Sequence, residues 1–355
     1  RRQSSGFGNG EVPAFPKVSK TSSFAVDVPD DRWEDMFYIA IQQLLGDHMW
    51  YNLTNEVGRV AYAMELCGLH EKCDEIYDYF LESPGVKSDG DFSTGEGSLE
   101  WANGMRHDIG YSHEGTHSSS GMLIYAMMHR YFMTEDAAWI EERLDRLLEA
   151  VDWMLDEATY YMDYISNNEN LICYGLLPPA MMGDYALPSS DWHWYFSDNA
   201  YMLQALNAFA AVLTDMGHSK AEYYTKQAEI FAENLLTAVQ YHTSTSPVRR
   251  KGDGTSMIFT SRMLYDGGLI HYGKKNSRPQ FSGGIHDLFL GALPLGEAYS
   301  LLEADDPIIM GIVNGMEEFG ADISVSSQDQ YDHPTADGGT QNFDPGQADV
   351  AIYGY

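Results

Sequence analysis

Cysteine is scarce in this chain: Cys67, Cys73 and Cys173 are the whole set among 355 residues. An odd count without close spacing gives neither a disulfide framework nor a cysteine zinc site, so buried structural thiols are expected. Positive charge is scarce too. Lys and Arg number 21 against 53 Asp and Glu, for a formal net charge of −32. Like charge repels, which argues against nucleic acid and anionic membranes as partners. Apolar runs of bilayer-spanning length are lacking, so membrane insertion is not expected. The opening stretch, RRQSSGFGNGEVPAFPK, lacks the apolar core of a signal peptide. A processed, secreted or periplasmic chain is expected ahead of a cytosolic one.

What is present is apolar surface arranged in a repeat. Hydrophobic residues make up 44% of the chain, enough for a sizeable core. Four times an apolar stretch meets a short polar turn and an amphipathic helix follows; the turns are ELCGLHEK (65–72), FMTEDAAW (132–139), LTDMGHSK (213–220) and LLEADDPI (301–308). Turns this short join antiparallel helix pairs. Within a pair the two helices differ. GMLIYAMMHRYFM (121–133) is apolar almost all round, whereas WIEERLDRLLEAVDWML (139–155) carries Trp139, Leu144, Leu147, Leu148, Val151 and Leu155 on one stripe. NAYMLQALNAFAAVL before KAEYYTKQAEIFAENLL repeats the contrast; VGRVAYAMEL before CDEIYDYFL, and HDLFLGALPLGEAYSLL before PIIMGIVNGMEEF, do so more weakly. An inner ring of apolar helices within an outer ring of amphipathic ones is an α/α toroid.

The connections are unequal. Inner-to-outer turns are short, while outer-to-inner connections are long, at 84–117, 162–197 and 242–285. Long loops in a compact domain are usually functional. If the inner helices all run one way, these loops gather at one mouth, over helix N-termini whose dipoles add positive potential. Residues 1–24 read as an extended segment, 25–320 as the helical domain, and 321–355 as an irregular Asp/Gly-rich segment suited to an assembly contact.

VPDDRWEDMFYIAIQQLLG, TNEVGRVAYAMELCGLHEKCDEIYDYFL, the hairpin from Thr116 to Met154, and YGLLPPAMMGDYALPSSDWHWYFSDNAYMLQALNAFAAVL together resemble the six-hairpin glycosidase superfamily. The resemblance covers roughly residues 25–320. It implies an all-α fold, the (α/α)6 toroid. Here four hairpins and a helix near 31–45 are recognisable, which makes the barrel incomplete or the chain a fragment. It also implies carbohydrate as substrate, and a general acid in the loop before the inner helix that follows GLLPP.

Glycoside hydrolysis needs two carboxyl groups flanking the scissile bond. The first connection offers Asp89, Asp91, Glu96, Glu100, Asp108 and Glu114; the second offers Asp184, Asp191 and Asp198. Asp184 and Asp191 rank first as general acid, with Glu96 or Glu114 as partner. Asp198 is expected to cap the helix beginning near Asn199. Trp101, Trp192, Trp194 and Tyr195 provide aromatic platforms for the flat C–H faces of sugars, and His113, His117 and His193 polar contacts. Arg249 and Arg250 open a basic stretch, Arg249–Arg278, that holds seven of the 21 Lys and Arg residues. That local reversal of sign suits a uronate or sulfate on the substrate, although solvated rim charges would read the same way.

His113-Glu114-Gly115-Thr116-His117 spells the H-E-x-x-H of zinc proteases. That chemistry needs both histidines one turn apart on a helix. Gly115 inside the motif and the serines after it put the stretch in a loop or at a helix start, so no metal site is assigned. DGDFSTGEGSLE places Asp89, Asp91 and Glu100 as in a calcium loop, but Thr94 stands where the turn needs glycine. The expected activity is a glycoside hydrolase without cofactor. A polysaccharide lyase using Tyr111 with His113, or Tyr195 with His193, is the nearest alternative. A non-catalytic glycan-binding toroid is the other.

Overall fold

The computed structural model describes residues 27, 29, 37–41, 54–82, 116–179, 194–246, 248–250, 253–258, 260, 263–264 and 291–319. It is mostly helical. Residues 37–41 are helical, and the longer helices are α1 (Thr54–Leu66), α2 (His70–Glu82), α3 (Thr116–Thr134), α4 (Ala137–Tyr164), α5 (Phe196–Asp215), α6 (Ala221–Thr245) and α7 (Pro307–Phe319). Two short strands, β1 (Arg249–Arg250) and β2 (Ser256–Met257), pair antiparallel inside the third long connection.

The short turns follow from local chemistry. Gly68 (φ 70°) and Gly217 (φ 66°) end α1 and α5 in the left-handed conformation that costs glycine nothing. Leu69 N then donates back to Met64 O at 3.0 Å, and His218 N to Leu213 O at 2.8 Å. Between α3 and α4, Asp136 caps the new helix by accepting from Trp139 N at 3.0 Å.

The two helices of each pair differ as the patterns require. Leu123, Tyr125, Leu203 and Leu206 are buried, and α5 is buried along nearly its whole length. On α4 one stripe is buried, centred on Ile140, Leu147, Val151, Met154 and Ala158, while Leu144, Leu148 and Leu155 flank it half-buried. That shifts the stripe expected from sequence by part of a turn.

α1, α3 and α5 form a central row, with α2 against α1, α4 along α3 and α6 against α5. The row is parallel, as its two ends show. At the N-terminal end, a Cβ on Gly58 would lie 2.9 Å from Leu123 N, and one on Gly121 would lie 2.6 Å from Tyr201 O. Helix backbones touch at both places. At the C-terminal end, Tyr131 of α3 donates to Asp215 of α5. Arg130 of α3 pairs with Asp74 of α2 and lies 3.8 Å from Glu65 of α1. Arg130 and Arg143 both stack on Trp139, each 4.4 Å from its ring centre, and Trp139 Nε1 donates to Asp74 at 2.8 Å. The turn face is thus tied by charge-assisted bonds. The long connections leave from the other face.

The expected fourth inner helix departs from its pattern. From residue 291 to 302 the chain forms a 3-10 helix, Leu293–Gly296, and then turns. Pro294 lacks a donor and is tolerated only in a first turn. Tyr299 adopts φ 64°, which a right-handed helix cannot contain. The 3-10 helix still packs on α5.

Candidate functional site

Buried polar side chains mark one end of this row. Among the described residues, Arg59, Glu65, Ser120, Arg130, Glu157, Ser197, Asp198, Asn199, Gln204, His242 and Thr260 are the buried polar or charged ones. Five of these eleven, namely Arg59, Ser120, Ser197, Asp198 and Asn199, lie in the first two turns of α1, α3 and α5. Burying a polar group is costly without partners. Concentrating such groups where three parallel helix dipoles point makes this end the candidate site.

Its geometry is built from three directions. Arg59 of α1 reaches across the row and donates from Nη1 to the Tyr201 hydroxyl of α5 at 2.8 Å. From the second connection, Leu177 N donates to Asn199 Oδ1 at 3.0 Å, and Asn199 Nδ2 donates to Tyr195 O at 2.8 Å. Asn199 therefore clasps Gly175-Leu176-Leu177 to the start of α5, a physical reason for GLLPP and that asparagine to occur together. From the third connection, Leu264 N donates to Trp194 O at 2.9 Å, and Tyr195 bridges Met263. The second and third connections thus meet over α5.

Asp198 is not the cap. Tyr195 holds that position with extended backbone and no side-chain cap bond, and Asp198 lies buried in the first turn of α5. A carboxylate there is favoured by the helix dipole. Tyr195 itself is buried, and Trp194 is half-buried, its ring 6.2 Å from that of Tyr161. Below them His242 is enclosed, its ring 5.2 Å from Phe196; burial pulls its pKa down to about 4.

One turn further along the row lies a set that sequence reasoning missed. Tyr62 of α1 and Tyr125 of α3 meet edge-to-face at 5.2 Å, and His129 lies 4.7 Å from Tyr62. The 297–299 segment crosses in front of them. Gln204 Nε2 donates to Glu297 at 3.1 Å and to Ala298 O at 3.0 Å, Asn207 Nδ2 donates to Tyr299 O at 2.8 Å, and Tyr299 stacks on Phe132 at 4.9 Å. Burial, and to a lesser degree the Glu297 carboxylate, raise the pKa of both Tyr62 and Tyr125, and burial lowers that of His129. All three stay neutral near pH 7, as a hydrogen-bonding floor requires. One signal was there to find them: Gly58-x-x-x-Tyr62-Ala63-Met64 recurs as Gly121-x-x-x-Tyr125-Ala126-Met127.

Asp184, Asp191, Glu96, Glu114, Trp101, His113, Trp192 and His193 lie outside the described residues, as do Asp89, Asp91 and Glu100 of the calcium-like loop. α3 begins at Thr116, so of the two motif histidines the described helix holds only His117, in its first turn. Arg249 and Arg250 form β1, on the connection that leaves α6. No group of three His, Cys, Asp or Glu residues that could hold a metal is found among the described residues. Comparisons with family models, with curated proteins and with solved structures find no match to this chain.

Proposed function

We propose that this chain is a carbohydrate-active hydrolase on an α/α toroid, with its site at the N-terminal ends of the inner helices. The carrying observation is the gathering of Arg59, Ser120, Ser197, Asp198 and Asn199 at the one end of the central row where the long connections leave. The parallel sense of α1, α3 and α5 supports closing the row into a ring of inner helices. In this reading Asp184 or Asp191 protonates the leaving oxygen, and Glu96 or Glu114 acts as base or nucleophile. Half-buried Tyr62 and Glu297 orient the sugar hydroxyls, while Asn199 and Arg59 hold in place the connection and the helix start beside them.

The test is release of new reducing ends from a panel of neutral and anionic oligosaccharides. On any substrate that the parent cleaves, Asp184→Asn or Asp191→Asn should lower turnover by about 10²-fold or more with the helical circular dichroism unchanged. Wild-type turnover in both variants defeats the assignment. Products absorbing in the ultraviolet as unsaturated sugars would make it a lyase instead.

A further inference from the structure

We propose that the rim of this mouth carries a glycan-binding platform at the C-terminal end of α4, and that it takes a neutral polysaccharide chain. The inference rests on the carbohydrate reading above and names the polymer that the mouth receives. Tyr164 is 72% exposed and Tyr160 is 41% exposed. On a helix, residues three and four apart share a face. The Tyr164 ring accordingly lies within 20° of parallel to Tyr161 and within 28° of parallel to Tyr160, at centroid distances of 6.2 and 6.5 Å. Tyr161 is buried and fixed, its hydroxyl 3.8 Å from Cys173 Sγ. Its ring in turn approaches Trp194 at 6.2 Å, directly before α5. Tyr160 and Tyr164 present the exposed rings, and the buried Tyr161 behind them links the pair to Trp194.

The surroundings select the occupant. An aromatic ring offers an apolar face to the C–H face of a pyranose, and the hydroxyls at the sugar's edge then need amide and carboxylate partners. Both are supplied beside Tyr164. Asp163, Asn167, Asn168, Glu169 and Asn170 are all exposed, and Asn167 Nδ2 donates to Asp163 Oδ1 at 3.0 Å. From Arg146 to Lys220 the sequence contains no other Lys or Arg, while Asp156, Asp163 and Glu169 are exposed along this edge. A uronate or sulfate chain would meet like charge here, whereas a neutral chain would not. The same acidity opposes a second copy of this chain, whose net charge is also −32. Both outer rings are solvent-exposed, so removing them spares the core.

The experiment uses the full chain, the Tyr160→Ala/Tyr164→Ala double variant and Tyr164→Phe. Retardation is measured in native gels cast with glucan, xylan or mannan, and with alginate or pectate for comparison. Sedimentation and release of reducing ends from short oligosaccharides are followed in parallel. The parent should be retarded by a neutral polymer. The double variant should bind it about tenfold more weakly, as the loss of ring stacking implies, and Tyr164→Phe should bind like the parent. Turnover of short oligosaccharides should not change. The platform is ruled out by no retardation in any neutral polymer, by equal retardation of the double variant, by preference for alginate or pectate, or by a dimer that the double variant loses. Retardation as described without any cleavage keeps the platform and removes the hydrolase reading. Cleavage with retardation indifferent to both tyrosines does the reverse.

Discussion

At the scale of single residues, buried titratable groups give the sharpest expectations. His242 is enclosed with a pKa pulled from 6.5 to about 4 by burial. Its folded pKa lies below its unfolded one, so the unfolded chain binds the extra proton. The stabilisation is therefore complete above about pH 6.5 and is lost as pH falls toward 4. At pH 5 the loss from this residue amounts to about 2 kcal/mol. Urea unfolding at pH 7 and pH 5 should show that decrement in the parent and a smaller one in His242→Phe; equal decrements would refute it. Arg130 is the second case. It serves Asp74, the fully buried Glu65 and the ring of Trp139 together. Arg130→Met should cost about 3 kcal/mol, because two carboxylates lose their cation while the helix pattern stays intact. A loss below about 1 kcal/mol in denaturant titration would mean that His70 suffices for Glu65. Neither role was legible in sequence. Arg130 reads as one polar residue on an apolar helix, and its partners lie 56 and 65 positions away.

At the scale of elements, the period of the apolar residues carried most of the information. α3 and α5 are apolar all round and buried all round, while α4 and α6 carry stripes and bury stripes. Legibility failed where apolar content came without period: HDLFLGALPLGEAYSLL is rich enough for a helix, but Pro294 and the left-handed Tyr299 interrupt it. Asp198 was misread because a cap and a first-turn carboxylate look alike in sequence, and the choice depended on the extended backbone of Tyr195. The glycines at the row's N-terminal end were passed over, since a glycine inside a helix usually only weakens it. Their contacts reverse that expectation. Gly121→Ala would set a methyl 2.6 Å from the Tyr201 carbonyl oxygen, where backbone must move. It should cost about 1–3 kcal/mol despite alanine's higher helix propensity. Thermal unfolding decides this; a stabilised variant would show that the helices do not touch there.

At the scale of the whole molecule, a net charge of −32 acts on everything. Among the described residues most charged side chains are exposed, and charges of one sign repel, so the folded chain gains from screening. Its melting temperature should rise by a few degrees, about 2–5 °C, between about 10 and 150 mM NaCl. A fall would mean that ion pairs such as Arg143–Asp78 and Lys226–Glu229 outweigh the general repulsion. The candidate site was half-legible at this scale. Loop lengths and helix direction pointed to the end of the row where the buried polar residues gather, whereas the set of Tyr62, Tyr125 and Glu297 unites segments more than 200 positions apart.

The ion-pair network around Trp139 and the glycine contacts between helix starts sit at opposite ends of the same three helices. Sequence drift should therefore fall on them unequally. At the turn face, a change in Arg130, Asp74 or Trp139 forfeits several bonds together, so accepted replacements there should come as matched sets. At the other end helix backbones approach closely at Gly58 and Gly121, so the spacing there depends on the lack of a side chain at each. A saturation library selected only for folding should therefore come back strongly filtered at Gly58, Gly121 and Arg130, strongly filtered too at Gly175, Leu176 and Leu177, which pack into the core beside Asn199 and Asn234, and weakly filtered at exposed positions such as Asn168 and Glu169.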